Sequence, residues 1–127
     1  MEIINAHETG HYDPRTCRNG GGYWNFKGSL KVKNLTIAVE DESCSDFGSR
    51  IFFAVSNGEA TANIIYCTME SDCISEQCNE YGWCGLDELD NVIGAEYIDV
   101  RVLWSAHNLI SEAARYRKME EEWEEDR

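Results

Sequence analysis

Four of the six cysteines lie close together in the chain and could bind a metal ion. They are spaced C-x5-C-x4-C-x5-C, and they are Cys67, Cys73, Cys78 and Cys84. Four thiolates can hold Zn²⁺ in a tetrahedral site, but such sites usually need a turn of about two to four residues between two ligands. Neither gap of five residues provides that turn. We therefore predict an acidic, cysteine-rich loop at residues 67–85 without a metal, and a small zinc-binding protein is the alternative.

A second possible metal site lies near the start of the chain, where residues 7–11 have the pattern H-E-x-x-H. These five residues resemble the signature of zinc peptidases, in which a helix presents two imidazoles on one face beside a general-base glutamate. The resemblance implies that His7 and His11 bind zinc and that Glu8 acts as the base. A metal-dependent hydrolase is therefore an alternative function.

The surroundings of this motif do not favour a working catalytic site. Gly10 and the nearby Pro14 weaken the helix that must hold both imidazoles on one face. A third ligand is also needed, and nothing in the sequence fixes the distance of the candidates His107 and Glu112. Neither a G-x-S-x-G elbow nor a phosphate-binding G-x-x-x-x-G-K-[ST] loop occurs in the chain. We therefore predict a protein that is not an enzyme, with no catalytic residues, no bound metal and no cofactor.

The beginning of the chain and its hydropathy indicate a compartment. Residues 1–8 include neither a basic nor an apolar segment, and no apolar run is long enough to span a bilayer. These features predict a soluble, cytoplasmic protein. In a reducing compartment the cysteines should be mostly thiols, which we favour, although six cysteines also allow a disulfide framework.

The central part of the chain has the alternating pattern of β-strands. Apolar residues alternate with polar ones within residues 23–39, but the phase slips by one residue at Lys33-Asn34. Such a slip would turn the second apolar set to the wrong face, so the pattern predicts a bulge or a tight turn there. Within residues 50–66, Asn57-Gly58 separates two further strand-like segments, which predicts a β-hairpin.

Turn formers, capping residues and apolar periodicity predict the flanking segments. Residues 1–22 are polar and rich in turn formers, which predicts an irregular N-terminal segment. Helical spacing predicts a short helix from Leu86 that ends at Gly94, whereas alternation over residues 97–104 predicts a half-buried strand. Ser105 is expected to cap a long amphipathic helix at residues 105–124. Its apolar stripe consists of Ala106, Leu109, Ile110, Ala113, Tyr116 and Met119.

These elements predict a single α+β domain that spans residues 1–127. Hairpins build an antiparallel β-sheet, one short helix follows, and the long C-terminal helix packs on one face of the sheet. A chain of 127 residues with 43% hydrophobic residues can bury enough surface to fold without metal or disulfide bonds.

Acidic side chains are concentrated in the second half of the chain. The whole chain contains 24 acidic and 11 basic residues, and its formal net charge is −13. Residues 1–66 contain 8 acidic and 6 basic residues, whereas residues 67–127 contain 16 and 5. This charge disfavours direct binding to nucleic acid or to an anionic membrane, because like charges repel. We therefore expect a basic protein as the partner.

The acidic residues of the second half form the candidate recognition surface. Carboxylates at regular spacing on a folded surface can imitate a nucleic-acid backbone and attract a groove lined with Lys and Arg. Tyr116 and Trp123 are candidate aromatic anchors, although Trp123 could equally be the last core contact of the helix, and an acidic end can simply be solvated. The predicted partner-binding residues are Glu70, Asp72, Glu76, Glu80, Asp87, Glu88, Asp90, Tyr116, Glu120, Glu121, Glu122, Trp123, Glu124, Glu125 and Asp126.

The sequence favours a non-enzymatic inhibitor that blocks a basic nucleic-acid-binding protein or nuclease complex by nucleic-acid mimicry. In size and charge the chain resembles the small acidic inhibitors that phages encode against host defence nucleases, such as anti-restriction and anti-CRISPR proteins. This resemblance rests on no shared motif. A structural or assembly subunit is a further alternative, in which the apolar face of the C-terminal helix forms a homodimer or joins a larger complex.

Overall fold

Six strands and two helices occur in the part of the chain that the computed structural model describes. That part comprises residues 1–10, 25–44, 48–67, 82–89 and 98–125. The strands are β1 (Glu2–Gly10), β2 (Asn25–Val32), β3 (Leu35–Cys44), β4 (Gly48–Ser56), β5 (Thr61–Cys67) and β6 (Trp83–Cys84), and the helices are α1 (Leu86–Glu88) and α2 (Val100–Glu125). The strands form one antiparallel sheet in the order β1-β2-β3-β4-β5-β6.

Helix α2 covers one face of this sheet with its first half, as predicted. Leu103, Ala106, Ile110 and Ala114 are buried at spacings of three and four residues, and α2 contacts β1, β2 and β3. The strands contribute every second residue to the same core, because successive side chains of a strand point to opposite faces. The largest of these strand residues are Phe26, Leu30, Ile37, Phe53 and Ile64. The predicted α+β fold is confirmed.

The predicted apolar stripe of α2 is only partly buried. Its buried or half-buried members are Ala106, Ile110 and Ala113, whereas Leu109, Tyr116 and Met119 are 40%, 62% and 63% exposed. Beyond Ala114 the side chains that the structure describes, those of residues 115–117, 119 and 120, are exposed and do not pack on the core. We call residues 115–125 the α2 extension; eleven helical residues span about 16 Å.

The phase slip in the sequence is a two-residue turn between β2 and β3. Val32 pairs with Leu35 across this turn, and Lys33 adopts a positive φ of 56°. The turn resets the alternation, so that Leu30 and its partner Ile37 both face the core. Of the two expected arrangements, the tight turn is the one observed.

The predicted hairpin within residues 50–66 is confirmed and consists of β4 and β5. Ser56 pairs with Thr61, so the turn has four residues. The side-chain oxygen of Asn57 accepts hydrogen bonds from the backbone N–H groups of Glu59 at 2.9 Å and Ala60 at 2.8 Å. Gly58 has a φ of 95°, which explains the need for glycine at that position.

The predicted irregular N-terminal segment is wrong for residues 2–10. These residues form β1, an edge strand that pairs with β2, and its register shifts between Ile3 and Asn5 and again between Glu8 and Gly10. Among residues 2–9, whose side chains the structure describes, Ala6 alone is buried, and the apolar alternation that marks a strand is nearly absent from this sequence. The rest of the predicted segment, residues 11–22, lies outside the described residues.

The predicted strand at residues 97–104 is wrong, because α2 begins at Val100. Asp99 caps the helix, and its Oδ1 accepts hydrogen bonds from the backbone N–H groups of Arg101 at 3.0 Å and Val102 at 3.1 Å. The Leu103 N–H donates to the Asp99 carbonyl at 3.1 Å. This cap satisfies donors that would otherwise lack partners. The expected cap Ser105 instead lies within the helix.

The segment between β5 and α2 also differs from the prediction. Trp83 and Cys84 of the predicted cysteine-rich loop form β6 and pair with β5, and residues 68–81 lie outside the described residues. Helix α1 is a single turn that follows Gly85, whose φ is 87°. The predicted continuation of this helix to Gly94 falls on residues 90–97, which are also outside the described part.

The Asp99 cap predicts a pH-dependent contribution to stability. Hydrogen bonds from the Val102 N–H and the Arg101 side chain hold the pKa of Asp99 below its ordinary value of 3.8. A lowered folded-state pKa contributes stability that is present above the unfolded pKa and is lost as the pH falls through the folded pKa. Asp99→Asn should therefore lower the melting temperature at about pH 7 and lose that difference near about pH 2. Thermal unfolding followed by circular dichroism measures both values.

The matched control for the cap is Glu59→Gln, which removes an exposed carboxylate from a turn. This variant should unfold like the wild type at both pH values. A destabilisation by Asp99→Asn that is equally large in acid would show that the charge of the cap has no role.

Candidate functional site

The predicted recognition residues fall into three groups in the structure. Glu70, Asp72, Glu76, Glu80, Asp90 and Asp126 lie outside the described residues. Asp87 and Glu88 lie in α1. Tyr116, Glu120, Glu121, Glu122, Trp123, Glu124 and Glu125 all belong to the α2 extension.

The two acidic residues of α1 have different environments. Asp87 is exposed. Glu88 is half-buried, and its Oε2 accepts a hydrogen bond from the backbone N–H of Asn63 in β5 at 2.8 Å. This bond ties α1 to the sheet, so Glu88 has a structural role in addition to its charge.

The α2 extension combines exposed apolar groups with a high density of acidic residues. Tyr116 and Met119 are more than three-fifths exposed, and Glu120 is exposed beside them. Five of the six residues at positions 120–125 are glutamates. Negative charge at a helix C-terminus opposes the macrodipole, and glutamates four positions apart repel one another. The sequence therefore places these residues where they weaken the helix.

The base of the α2 extension lies at the edge of the sheet. One Nη atom of Arg117 lies 3.5 Å from the backbone oxygen of Ala6 in β1, to which it donates a hydrogen bond. Beyond that contact the helix continues for eight residues to Glu125.

A buried histidine–aspartate pair was not predicted from the sequence. His107 Nε2 in α2 lies 2.8 Å from Asp41 Oδ2 in β3, and the two side chains are only 14% and 9% exposed. The His107 ring also packs at 5.0 Å from Phe26 and 5.2 Å from Trp104. Its other nitrogen lies 3.1 Å from the side-chain oxygen of Asn108. Both ring nitrogens have oxygen partners, which fits a structural link between helix and sheet better than a catalytic base.

Residues 7–10 of the H-E-x-x-H motif lie in strand β1 and not in the helix that the zinc-peptidase signature requires. His7 and Glu8 are consecutive residues of β1, so their side chains point to opposite faces. His11 lies outside the described residues, and the possible third ligand His107 is bound to Asp41. In the described ranges, no group of three or more His, Cys, Asp or Glu residues could hold a metal ion.

The cysteines only partly follow the prediction of free thiols. Cys84 is disulfide-bonded, so the prediction is wrong for this residue, and an oxidised Cys84 cannot supply a thiolate ligand to zinc. Cys67 has a reduced thiol and is buried. Cys73 and Cys78 lie outside the described residues.

Searches for similar proteins identify no relative of this chain. Comparison of the chain with protein-family models, with curated proteins and with solved structures finds no match. Among the helices described for this chain, none is both long enough and apolar enough to cross a membrane. The chemistry of the α2 extension is therefore the main guide to function.

Proposed function

We propose that the protein is a non-enzymatic inhibitor whose α2 extension docks into a basic, nucleic-acid-binding groove of another protein and blocks it. The observation that carries this proposal is that the acidic residues belong to a helix that continues to Glu125, whereas Ala114 is the last buried residue among the side chains that the structure describes. A frayed acidic tail would only hydrate the protein, whereas a helix holds its charges at a fixed spacing.

The charge spacing supports mimicry of a nucleic acid in particular. Residues 120–125 carry five glutamates, and six helical residues rise about 9 Å. This is about one negative charge per 1.8 Å, close to the value of about 1.7 Å along the axis of duplex DNA. A groove lined with Lys and Arg at the spacing of phosphates would therefore meet a similar line charge.

The exposed side chains of Tyr116 and Met119 support a protein partner. Large apolar groups at this exposure gain free energy when a partner removes them from water. Aromatic residues that become desolvated at the centre of an interface often provide much of the binding energy. Charge would then speed the encounter, and the apolar contacts would slow dissociation.

The test is a comparison of two variants with the same change in net charge. One variant replaces five glutamates of the α2 extension by glutamine. The control neutralises five exposed acidic residues elsewhere, namely Glu2, Glu40, Glu42, Glu59 and Asp87. Each protein is immobilised and exposed to an extract of its native host. Bound proteins are eluted with a salt gradient or with competing duplex DNA.

We expect the wild type and the control to retain DNA-binding proteins that duplex DNA displaces. The variant of the α2 extension should bind these proteins at least about tenfold more weakly, since its charge complementarity is lost. Equal weakening by both variants would indicate a general effect of net charge. Capture that is indifferent to salt and to DNA would overturn the proposal.

A further inference from the structure

The outer side of α2 has a stripe of exposed apolar side chains. They are Leu109, Tyr116 and Met119, which are separated by seven and three residues along the helix. These are the spacings of the a and d positions of a coiled coil. Met119 lies nine residues after the buried Ile110, which is about two and a half helical turns, so it lies on the side of α2 that faces away from the sheet.

The centre of this stripe is the pair of Tyr116 and Met119. Glu112 is exposed and occupies the position between Leu109 and Tyr116 where a heptad pattern has an apolar residue. The apolar contact with a second helix therefore centres on the two residues that follow. Because the a and d side chains of one helix insert between those of the other, Tyr116 of one helix would pack on Met119 of an antiparallel partner.

The charges beside the stripe make it complementary to itself. Arg115 and Glu122 are seven residues apart, so they take the same heptad position on one side of the stripe. In an antiparallel pair of helices this side faces the same side of the partner. When Tyr116 is level with Met119 of the partner, position 115 is level with position 120 and lies within about 3 Å, along the axis, of position 122. The position of Arg115 in each copy is thus next to a glutamate position of the other.

The opposite direction of pairing is unfavourable. In a parallel pair, residues 120–125 of the two copies lie side by side, and each of these segments contains five glutamates. Like charges that are brought together at an interface cost free energy. We therefore propose that α2 pairs antiparallel with α2 of a second copy of this chain, through residues 109–125.

The resulting dimer has two-fold symmetry, so each contact occurs twice. Residues 109–125 rise only about 26 Å and meet along one stripe, so the dimer is weak and depends on concentration. The inference does not rest on the proposed function. Both use Tyr116 and Met119, however, so a second copy and the basic partner would compete for these side chains.

Removal of the apolar centre is the first test. Tyr116→Gln/Met119→Gln should raise the dimer dissociation constant at least about tenfold and leave the melting temperature unchanged, because both side chains are exposed in the single chain. The control Ile4→Gln changes an exposed apolar residue of β1 and should not affect the dimer. Sedimentation velocity over a series of concentrations measures the dimer. A wild type that stays monomeric at the highest concentration would overturn the inference.

Charge exchange is the second test, and it also determines the direction of pairing. Arg115→Glu and Glu122→Arg should each weaken the dimer about fivefold, because two exposed pairs change from attraction to repulsion. An equimolar mixture of the two variants should recover the wild-type affinity, since both contacts of an antiparallel heterodimer join opposite charges. A parallel pair would not recover, because position 115 of a parallel helix faces position 120 of its partner and not position 122.

A mixture without recovery, or a dimer that all of these variants leave unchanged, would contradict the antiparallel pairing. Circular dichroism checks that each variant is folded. All of these measurements use the purified protein alone, so their failure would leave the proposed function untouched. A wild type that dimerises but captures no DNA-binding protein would contradict only the proposed function.

Discussion

Replacing His107 by alanine should lower the free energy of unfolding by roughly 3–5 kcal/mol. The Asp41 carboxylate lies against the core face of the sheet, and the imidazole at 2.8 Å shields it from water. Removal of one member of a buried pair is more costly than the loss of an exposed ion pair, because the buried partner loses a hydrogen bond away from water. The variant also loses the packing of the ring on Phe26 and Trp104. Urea unfolding near neutral pH measures the change.

Two further variants separate this pair from general effects on β3. Glu42→Ala removes an exposed carboxylate next to Asp41 and should change stability by no more than about 0.5 kcal/mol. The double variant Asp41→Leu/His107→Phe should be less destabilised than the sum of its single variants, since apolar groups can replace a buried pair. Additive losses in the double variant would mean that the two side chains are not coupled.

The parts of the fold that depend on neighbouring residues could be predicted from the sequence. The turn at Lys33-Asn34 follows from a phase slip within one segment, and the β4–β5 hairpin follows from Asn57-Gly58. Both signals lie within a few consecutive residues. The phase slip predicts a turn because a strand must keep its apolar side chains on one face. The overall α+β arrangement followed from the order of such elements.

The predictions that were wrong concern elements that depend on contacts with distant residues. In strand β1, Ala6 is the one buried residue among residues 2–9, and the strand forms because it pairs with the edge of β2. At the start of α2, the alternation over residues 97–104 suggested a strand, but the cap at Asp99 and the buried Leu103 favour a helix. Alternation in a short segment is compatible with either structure until the packing partner is known.

The residues of the candidate site also divide into those that a local sequence signal predicts and those that only distant contacts determine. The acidic run and Tyr116 could be identified from composition and spacing alone. The sequence does not show where the sheet ends, so it could not predict that Met119 would be exposed and not part of the core. The Asp41–His107 pair joins residues 66 positions apart, so no local sequence signal predicts it.

Gly28→Ala should destabilise the protein by about 3 kcal/mol, the upper end of the usual cost of overpacking. A methyl group at this position in β2 would meet the backbone oxygen of Asn5, the Cα of Ala6 at 2.9 Å and the Cγ2 of Ile110 at 2.7 Å. Two of these atoms belong to the backbone of β1 and cannot move without shifting the strand. The third is on α2, so the methyl group would also push the helix away from the sheet. Thermal and urea unfolding measure the loss.

Gly58→Ala is the control that separates crowding from backbone conformation. Gly58 has a φ of 95° and no atom within contact distance of an added methyl group, so this variant should cost only about 1 kcal/mol, through φ alone. Gly28 does not have a positive φ, and without the clash alanine there would be stabilising. Equal effects of the two substitutions would therefore mean that α2 does not approach the sheet this closely. Since the same contact sets the distance between α2 and the sheet, Gly28→Ala should also displace the α2 extension.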